Sequence, residues 1–397
     1  MTIHVPRGFR MSAVSCGIKQ ASGAKDVSLF VSDEPATAAG VYTTNLVVAA
    51  PVVLDRHRTP SSNIRAVVIN SGNANACTGE QGMSDAEQMA ELTAHAIGCQ
   101  PEQVLVMSTG IIGHHLPMRK IAKGIGAATS ALASHEDAFT AAAEGLMTTD
   151  TVRKMSSTEI TVGGNVTRIC GAAKGAGMIG PKMATMLSVV LTDARLSPQD
   201  AQEILARVAD QTFNCISVEG HMSTNDSLLL LASGQAHAEI LQGEGLQLFE
   251  SELLSVCTEL ARAIANDGEG ISHLIELHVR GCATRDDALA IAKTVANSAL
   301  VKTAIAGNDP NWGRIVSAAG YAGVPFDPGK VALAINGTTL YDQGGPVAFD
   351  AADVSKQMKN NRDTLVELQF EDGDQEVRFW TCDLTAEYIH INADYHT

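Results

Sequence analysis

The stretch Lys174-Gly175-Ala176-Gly177-Met178-Ile179-Gly180-Pro181-Lys182-Met183-Ala184-Thr185-Met186-Leu187-Ser188-Val189-Val190-Leu191 decides how this chain is read. Its glycines spell G-x-G-x-x-G, the fingerprint of dinucleotide-binding folds. That fingerprint works only when a helix follows directly, so that its N-terminus can hold a pyrophosphate. Here Pro181 intervenes, and Thr185 to Leu191 is β-branched and strand-like. The glycines therefore form a flexible loop that leads into a strand, and a doubly wound nucleotide fold is not expected.

Working outward, the chain alternates short strands and helices without a regular βαβ rhythm. Strands are expected at Val27 to Val31, Val41 to Thr44, Pro51 to Leu54 and Ile64 to Ile69. A helix should start from a capping box at Ser84 and Glu87, whose side chains satisfy each other's backbone N–H groups. Gln103 to Met107 reads as a strand that runs into Ser108-Thr109-Gly110, with helices near Met118 to Leu132 and Glu136 to Leu146. Further strands are expected at Glu159 to Val162, Val166 to Cys170 and Thr185 to Leu191. Ser197-Pro198 supplies an N-cap and a first-turn proline for another helix. The remainder reads as helices at Gly245 to Asn266 and Arg285 to Ser298, with strands at 274–279, 331–335, 365–370, 376–380 and Tyr388 to Ile391. This pattern indicates a layered α+β protein.

Composition narrows the function. The chain has 397 residues, 45% of them hydrophobic, enough for two or three packed units. With 28 Lys and Arg against 44 Asp and Glu, the formal charge is −16. Such a chain is repelled by phosphate backbones and anionic bilayers, so nucleic acid and membrane are not expected partners. Nine Phe, five Tyr and two Trp are too few for a base-stacking platform. The opening twenty residues hold no apolar run of signal-peptide length, and the densest run, Leu228 to Ala232, is far too short to span a bilayer. The eight cysteines form no C-x-x-C pair and read as reduced thiols of a cytoplasmic protein. Gly329-Lys330 is followed by Val331, so no Walker A motif is present. His114-His115 has no metal-ligand spacing around it and reads as a loop. Asn73 and Asn75, in the turn-rich run before Cys77, should hydrogen-bond the local backbone. No metal is expected.

Chemistry enters at Ala184-Thr185. A small residue before a threonine, after a glycine loop and at the start of a strand, can undergo an N-to-O acyl shift followed by hydrolysis. The new chain would begin with Thr185. Its hydroxyl is then a nucleophile and its own α-amine, with a reference pKa of about 7.7–8.0, the adjacent base. A strand threonine with a satisfied hydroxyl has the same local sequence, so the residues alone leave both readings open.

A wider set of motifs bears on the choice. They are Asn70-Ser71-Gly72-Asn73-Ala74-Asn75-Ala76, Met147-Thr148-Thr149-Asp150-Thr151, Lys174 to Leu187, Ser223-Thr224-Asn225-Asp226, Asp267-Gly268-Glu269-Gly270, Gly307 to Arg314 and Asn392-Ala393-Asp394-Tyr395. In this order and nearly end to end, the chain resembles the ornithine acetyltransferase (glutamate N-acetyltransferase) family. The resemblance implies a layered αββα architecture with an N-terminal-nucleophile-like site and a second, smaller α/β lobe. It implies autocatalytic cutting of Ala184–Thr185 into an alpha chain, 1–184, and a beta chain, 185–397, that assemble as an α2β2 heterotetramer. It implies that Thr185 takes the acetyl group, that Thr109 and Gly110 form the oxyanion hole, and that Thr148, Lys174, Thr185, Glu269, Asn392 and Thr397 contact substrate. The match at Thr148 is loose by one position, because Thr149 stands beside it.

The implied activity is transfer of acetyl from N2-acetylornithine to glutamate by a ping-pong route. No cofactor is needed for that exchange, and some members also take the acetyl group from acetyl-CoA. Two segments depart from the family pattern. Ile271-Ser272-His273 stands where Ala-Thr-Lys is usual, and Glu219-Gly220-His221-Met222 where Asp-Gly-Asp-Thr is common. Both bear on substrate preference. The competing readings are an N-terminal-nucleophile amidohydrolase, in which water resolves the acyl-enzyme, and a ligand-binding protein that never cuts itself.

Overall fold

A computed structural model describes residues 2–180 and 186–394. In chain order the first half runs β1 (Phe9–Val14), β2 (Val27–Tyr42), α1 (Ala50–Arg58), β3 (Ser61–Asn73), α2 (Gly79–Ile97), β4 (Val104–Ile111), α3 (Met118–Ser130), α4 (Glu136–Leu146), β5 (Lys154–Val162) and β6 (Asn165–Lys174). The second half continues β7 (Leu187–Thr192), α5 (Pro198–Gln211), β8 (Ser227–Ala232), α6 (Gly243–Ala265), β9 (Leu274–Cys282), α7 (Arg285–Ala296), α8 (Ala299–Ala306) and α9 (Trp312–Gly320). It ends with β10 (Ala332–Ile335), β11 (Thr338–Asp342), β12 (Gly345–Pro346), α10 (Ala351–Asn360), β13 (Asp363–Gln369), β14 (Gln375–Cys382) and α11 (Ala386–Asp394).

One long strand organises the main body. The start of β2, Val27 to Val31, pairs with both β1 and β3, and β3 pairs in parallel with β4. Its end, Thr37 to Tyr42, pairs with β8, and β7, β6 and β5 follow outward. Between the two halves the register slips, and Asp33, Glu34 and Pro35 are exposed. A bulge of this kind bends a strand, and Pro35 has no N–H to pair. The sheet thereby folds into two layers, β1–β4 and β5–β8.

Side-chain alternation shows the layering directly, since neighbours along a strand face opposite sides. Phe30, Val67, Ile69, Leu105 and Met107 from one layer meet Cys170, Ala172, Val189, Leu191, Leu229 and Leu231 from the other in one buried cluster, with Phe139 and Leu146 of α4 beside them. The alternate residues face outward. Leu29, Val31, Val68 and Val106 pack on α2 and α3. Ile169, Val190, Leu228 and Leu230 pack on α5 and α6. The layers are helix, sheet, sheet, helix, as the family resemblance implied. A second sheet, in the order β12-β11-β10-β13-β9-β14, is built wholly from residues 274–382 and forms the smaller α/β lobe with α7 to α10.

Four sequence expectations are corrected. Pro51 to Leu54 is not a strand; it lies in α1, entered from extended Ala49 with proline in the first turn and Arg56, His57 and Arg58 in the last. Tyr388 to Ile391 belongs to α11 rather than a strand. Ser84 and Glu87 are no capping box, because α2 begins five residues earlier, after Thr78. Val27 to Val31 and Val41 to Thr44, expected as two strands, fall on one: the first opens β2, and only Val41 and Tyr42 of the second belong to its end. Ser197 caps α5 as expected, accepting the Asp200 N–H at 3.0 Å. Among the described residues, no single helix is long and apolar enough to cross a membrane.

Candidate active site

The loop ends of the two layers meet at one edge of the sandwich. β3 and β4 finish side by side, with Gly72 and Gly110 in register. Gly110 has φ +131°, and a Cβ there would lie 2.3 Å from the Gly72 carbonyl carbon. Only glycine fits such a turn against another backbone. Asn225, just before β8, ties the layers together by donating from Nδ2 to Ala74 O at 2.6 Å and Ser108 O at 2.9 Å. The asparagines behave as the turn reading expected: Asn73 Oδ1 accepts the Asn75 N–H at 2.9 Å, and Asn75 Nδ2 donates to Gly82 O at 2.8 Å.

Between these ends lies a cavity enclosing about 630 Å3 including its mouth, and every expected contact that the structure describes lines it: Thr109, Gly110, Thr148, Lys174, Glu269 and Asn392. Thr149 lines it too, so neither threonine of the pair is excluded. Thr185, Ala184 and Thr397 lie outside the described residues. The lining also includes Met178 and the Ser223-Thr224-Asn225 run, to which the sequence reading gave no role although it quoted the motif.

Charges of both signs line the cavity. Lys174 closes β6, is 2% exposed, and donates from Nζ to Thr109 Oγ1 at 3.2 Å. Burial pulls its ammonium below the ordinary lysine value, against the neighbouring Asp150 carboxylate. Asp150 is the hub behind it. One carboxylate oxygen accepts Lys154 Nζ and the Gly175 N–H, each at 2.6 Å; the other accepts the Thr148 N–H at 2.9 Å. Burial works to raise its pKa, but the Lys174 and Lys154 cations outweigh it and hold the group at about 2. Lys154 also reaches Asp267 at 2.6 Å. Lys174 is therefore positioned from behind by a satisfied ion network.

Glu269 lies against Gly177, where any Cβ would come within 2.6 Å of its carboxylate. Its Oε2 accepts Asn392 Nδ2 at 3.0 Å, which joins α11 to the cavity wall. A buried ammonium and a carboxylate lining the same cavity suit a zwitterionic amino-acid ligand. Thr109 and Gly110 lie beside that cation, where negative charge on a reacting oxygen would be stabilised. Cys77, by contrast, is exposed and lines no part of the cavity.

Comparison with known proteins follows the same lines. The ArgJ family model matches residues 10–397. The arginine biosynthesis bifunctional protein ArgJ of Rhodopirellula baltica is 48% identical over 400 residues, covering 100% of this chain and 97% of its own. The crystal structure of arginine biosynthesis bifunctional protein argJ from Bacillus halodurans is 36% identical with a TM-score of 0.50. It covers 51% of this chain and 96% of that one. The crystal structure of ornithine acetyltransferase complexed with ornithine from Mycobacterium tuberculosis is 36% identical with a TM-score of 0.41, covering 47% of this chain and 96% of that one.

Proposed function

Because the chain belongs to the ArgJ family, we propose that it is a self-cutting acetyltransferase of arginine biosynthesis that moves acetyl from N2-acetylornithine to glutamate. The observation that carries this reading is convergence. Six residues from five separate segments of the chain line one cavity whose wall carries both a buried ammonium and a carboxylate.

The steps follow from those groups. Cutting Ala184–Thr185 frees the α-amine of Thr185, which takes the hydroxyl proton as the hydroxyl oxygen attacks the acetyl carbonyl. Negative charge on the tetrahedral oxygen is met by the Thr109 hydroxyl and the Gly110 N–H, with Lys174 behind Thr109 Oγ1. The amine proton passes to the departing ornithine nitrogen, leaving acetyl-threonine. Glutamate enters, its amine attacks the ester, and N-acetylglutamate leaves as Thr185 regains its proton. Glu269 suits an amino-acid ammonium, and Thr148, Asn392 and Thr397 complete the substrate contacts. One amide is exchanged for another, so this route needs no cofactor; acetyl-CoA would deliver the same acetyl group to the same threonine.

The Bacillus halodurans relative supports cutting, since its polypeptide is almost fully matched by half of this chain. The alpha chain, 1–184, would end after β6, and the beta chain, 185–397, would begin just before β7. We assign the pair to an α2β2 heterotetramer in the cytoplasm. Purified protein incubated with N2-acetylornithine and glutamate tests the reading. N-acetylglutamate should accumulate with ornithine in equal amounts. Free acetate in its place would make the protein an amidohydrolase, and no turnover a binding protein.

A further inference from the structure

Lys19 is a cation beside the cavity to which the mechanism above gives no role. The loop that carries it is fixed by Asp26, which is 0% exposed. Asp26 Oδ1 accepts the Cys16 N–H at 2.7 Å, and Oδ2 accepts those of Gly17 at 2.9 Å, Ile18 at 2.6 Å and Lys19 at 3.3 Å. The stem of Lys19 then passes over the end of β3, where a Cβ on Gly72 would meet Lys19 Cγ at 3.2 Å. Gly72 is the register partner of Gly110. Lys19 lines a second space of about 1120 Å3, its opening included, and Gly110, Thr148 and Thr149 line both that space and the cavity. The two adjoin beside Gly110. The Lys19 ammonium donates to Lys25 O at 2.6 Å and keeps protons for a further acceptor. Nearby cations are already matched: Lys154 pairs with Asp150 and Asp267, and Lys25 and Arg153 pair with Glu144. Among the described residues, no carboxylate makes an ion pair with Lys19.

We propose that Lys19 is the specificity residue for the acceptor, its ammonium holding the side-chain carboxylate of glutamate in the adjoining space. The reason is charge. N2-acetylornithine brings a carboxylate and an ammonium, which Lys174 and Glu269 match. Glutamate attacks through a neutral amine, so it brings two carboxylates and no cation. Among the described residues Lys174 is the one cation lining the cavity, so one carboxylate of glutamate is unmatched there. Glu269 repels that carboxylate, which favours a place beside Lys19 instead. Burial lowers the Lys19 pKa to about 8, aided by Lys174 and opposed by Asp26 and Asp150, so the group is largely a cation at neutral pH. A part-buried ammonium with no counter-ion gains a charge-assisted hydrogen bond when a carboxylate arrives. The other charged residue lining the second space, Asp394, is exposed, and water and salt screen its repulsion.

This inference rests on the proposed transfer from N2-acetylornithine to glutamate. Its test compares two acceptors of the same acetyl group at neutral pH. Exchange of labelled ornithine into N2-acetylornithine uses a cationic acceptor, and N-acetylglutamate formation uses the anionic one. Lys19→Met keeps the stem against Gly72 and removes the charge. It should raise KM for glutamate about 10-fold or more and leave the ornithine exchange at the wild-type rate. Lys19→Arg restores a cation and should return KM for glutamate close to the wild-type value. An unchanged KM in Lys19→Met, a loss of ornithine exchange in step with glutamate use, or a KM in Lys19→Arg as high as in Lys19→Met overturns the proposal. Wild type that neither exchanges ornithine nor forms N-acetylglutamate overturns the proposed function itself, which separates the two failures.

Discussion

Thr109 meets two demands at once: it is the last buried residue of β4 and presents a hydroxyl to a buried ammonium. If that hydroxyl binds the oxyanion, Thr109→Ala should lower kcat by about 10²–10³ and change KM little. Steady-state kinetics decide it, since a raised KM with intact kcat would make Thr109 a substrate contact instead. Asp150 offers a second check. Its carboxyl is depressed from 3.8 to about 2, so its contribution to stability is present above the unfolded value and is lost as pH falls towards about 2. Asp150→Asn should destabilise at neutral pH by about 3–5 kcal/mol, because Lys154 and Lys174 lose a buried partner. Its denaturation midpoint should then fall less steeply than wild type between about pH 4 and about pH 2. Parallel slopes would show that Asp150 is not the group responsible. Little of this was legible in the sequence. An isolated Lys174 or Glu269 reads as a solvated charge, and burial appears only once β6 is seen to end inside the sandwich. The motifs marked these residues; the ion network behind them spans more than a hundred positions and leaves no local pattern.

At the scale of elements, the errors have a common cause. Both α1 and α11 are nine-residue helices whose β-branched or aromatic residues fit a strand equally well, and so short a window cannot separate the two periods. Tertiary anchors decide instead. α11 has no fully buried side chain, yet it is held by Thr385 Oγ1 donating to Gly270 O and by Asn392 donating to Glu269. A Cβ on Gly270 would meet the Tyr388 nitrogen at 2.5 Å, so glycine is what lets the helix approach. Asn392→Ala should therefore release Glu269 and raise KM for N2-acetylornithine about 10-fold, equivalent to about 1.4 kcal/mol, with kcat nearly unchanged. An unaltered KM would remove α11 from the substrate site. Where a cap and a first-turn proline coincided the start was readable, as for Ser197-Pro198 before α5.

Across the whole molecule, the sequence pattern indicated a layered α+β protein, and the resemblance supplied the αββα order. Alternation alone could not have done so, because one continuous strand, β2, serves both layers and hides the fold line at its bulge. The same architecture constrains the cut product. β6 and β7 are antiparallel neighbours on opposite sides of the expected break. The inner core also mixes Phe30 and Phe139 with Leu187, Val189 and Leu229. Chains 1–184 and 185–397 should therefore co-elute as one species on native size exclusion and separate only in denaturant. Spontaneous dissociation would contradict this picture of the core. The most direct measurement is mass spectrometry of the protein after incubation with N2-acetylornithine and no glutamate. The account predicts a fragment that begins with Thr185 and carries one acetyl group on that residue, lost on addition of glutamate. A full-length chain that transfers acetyl groups, or an acetyl group held on any other residue, would contradict it.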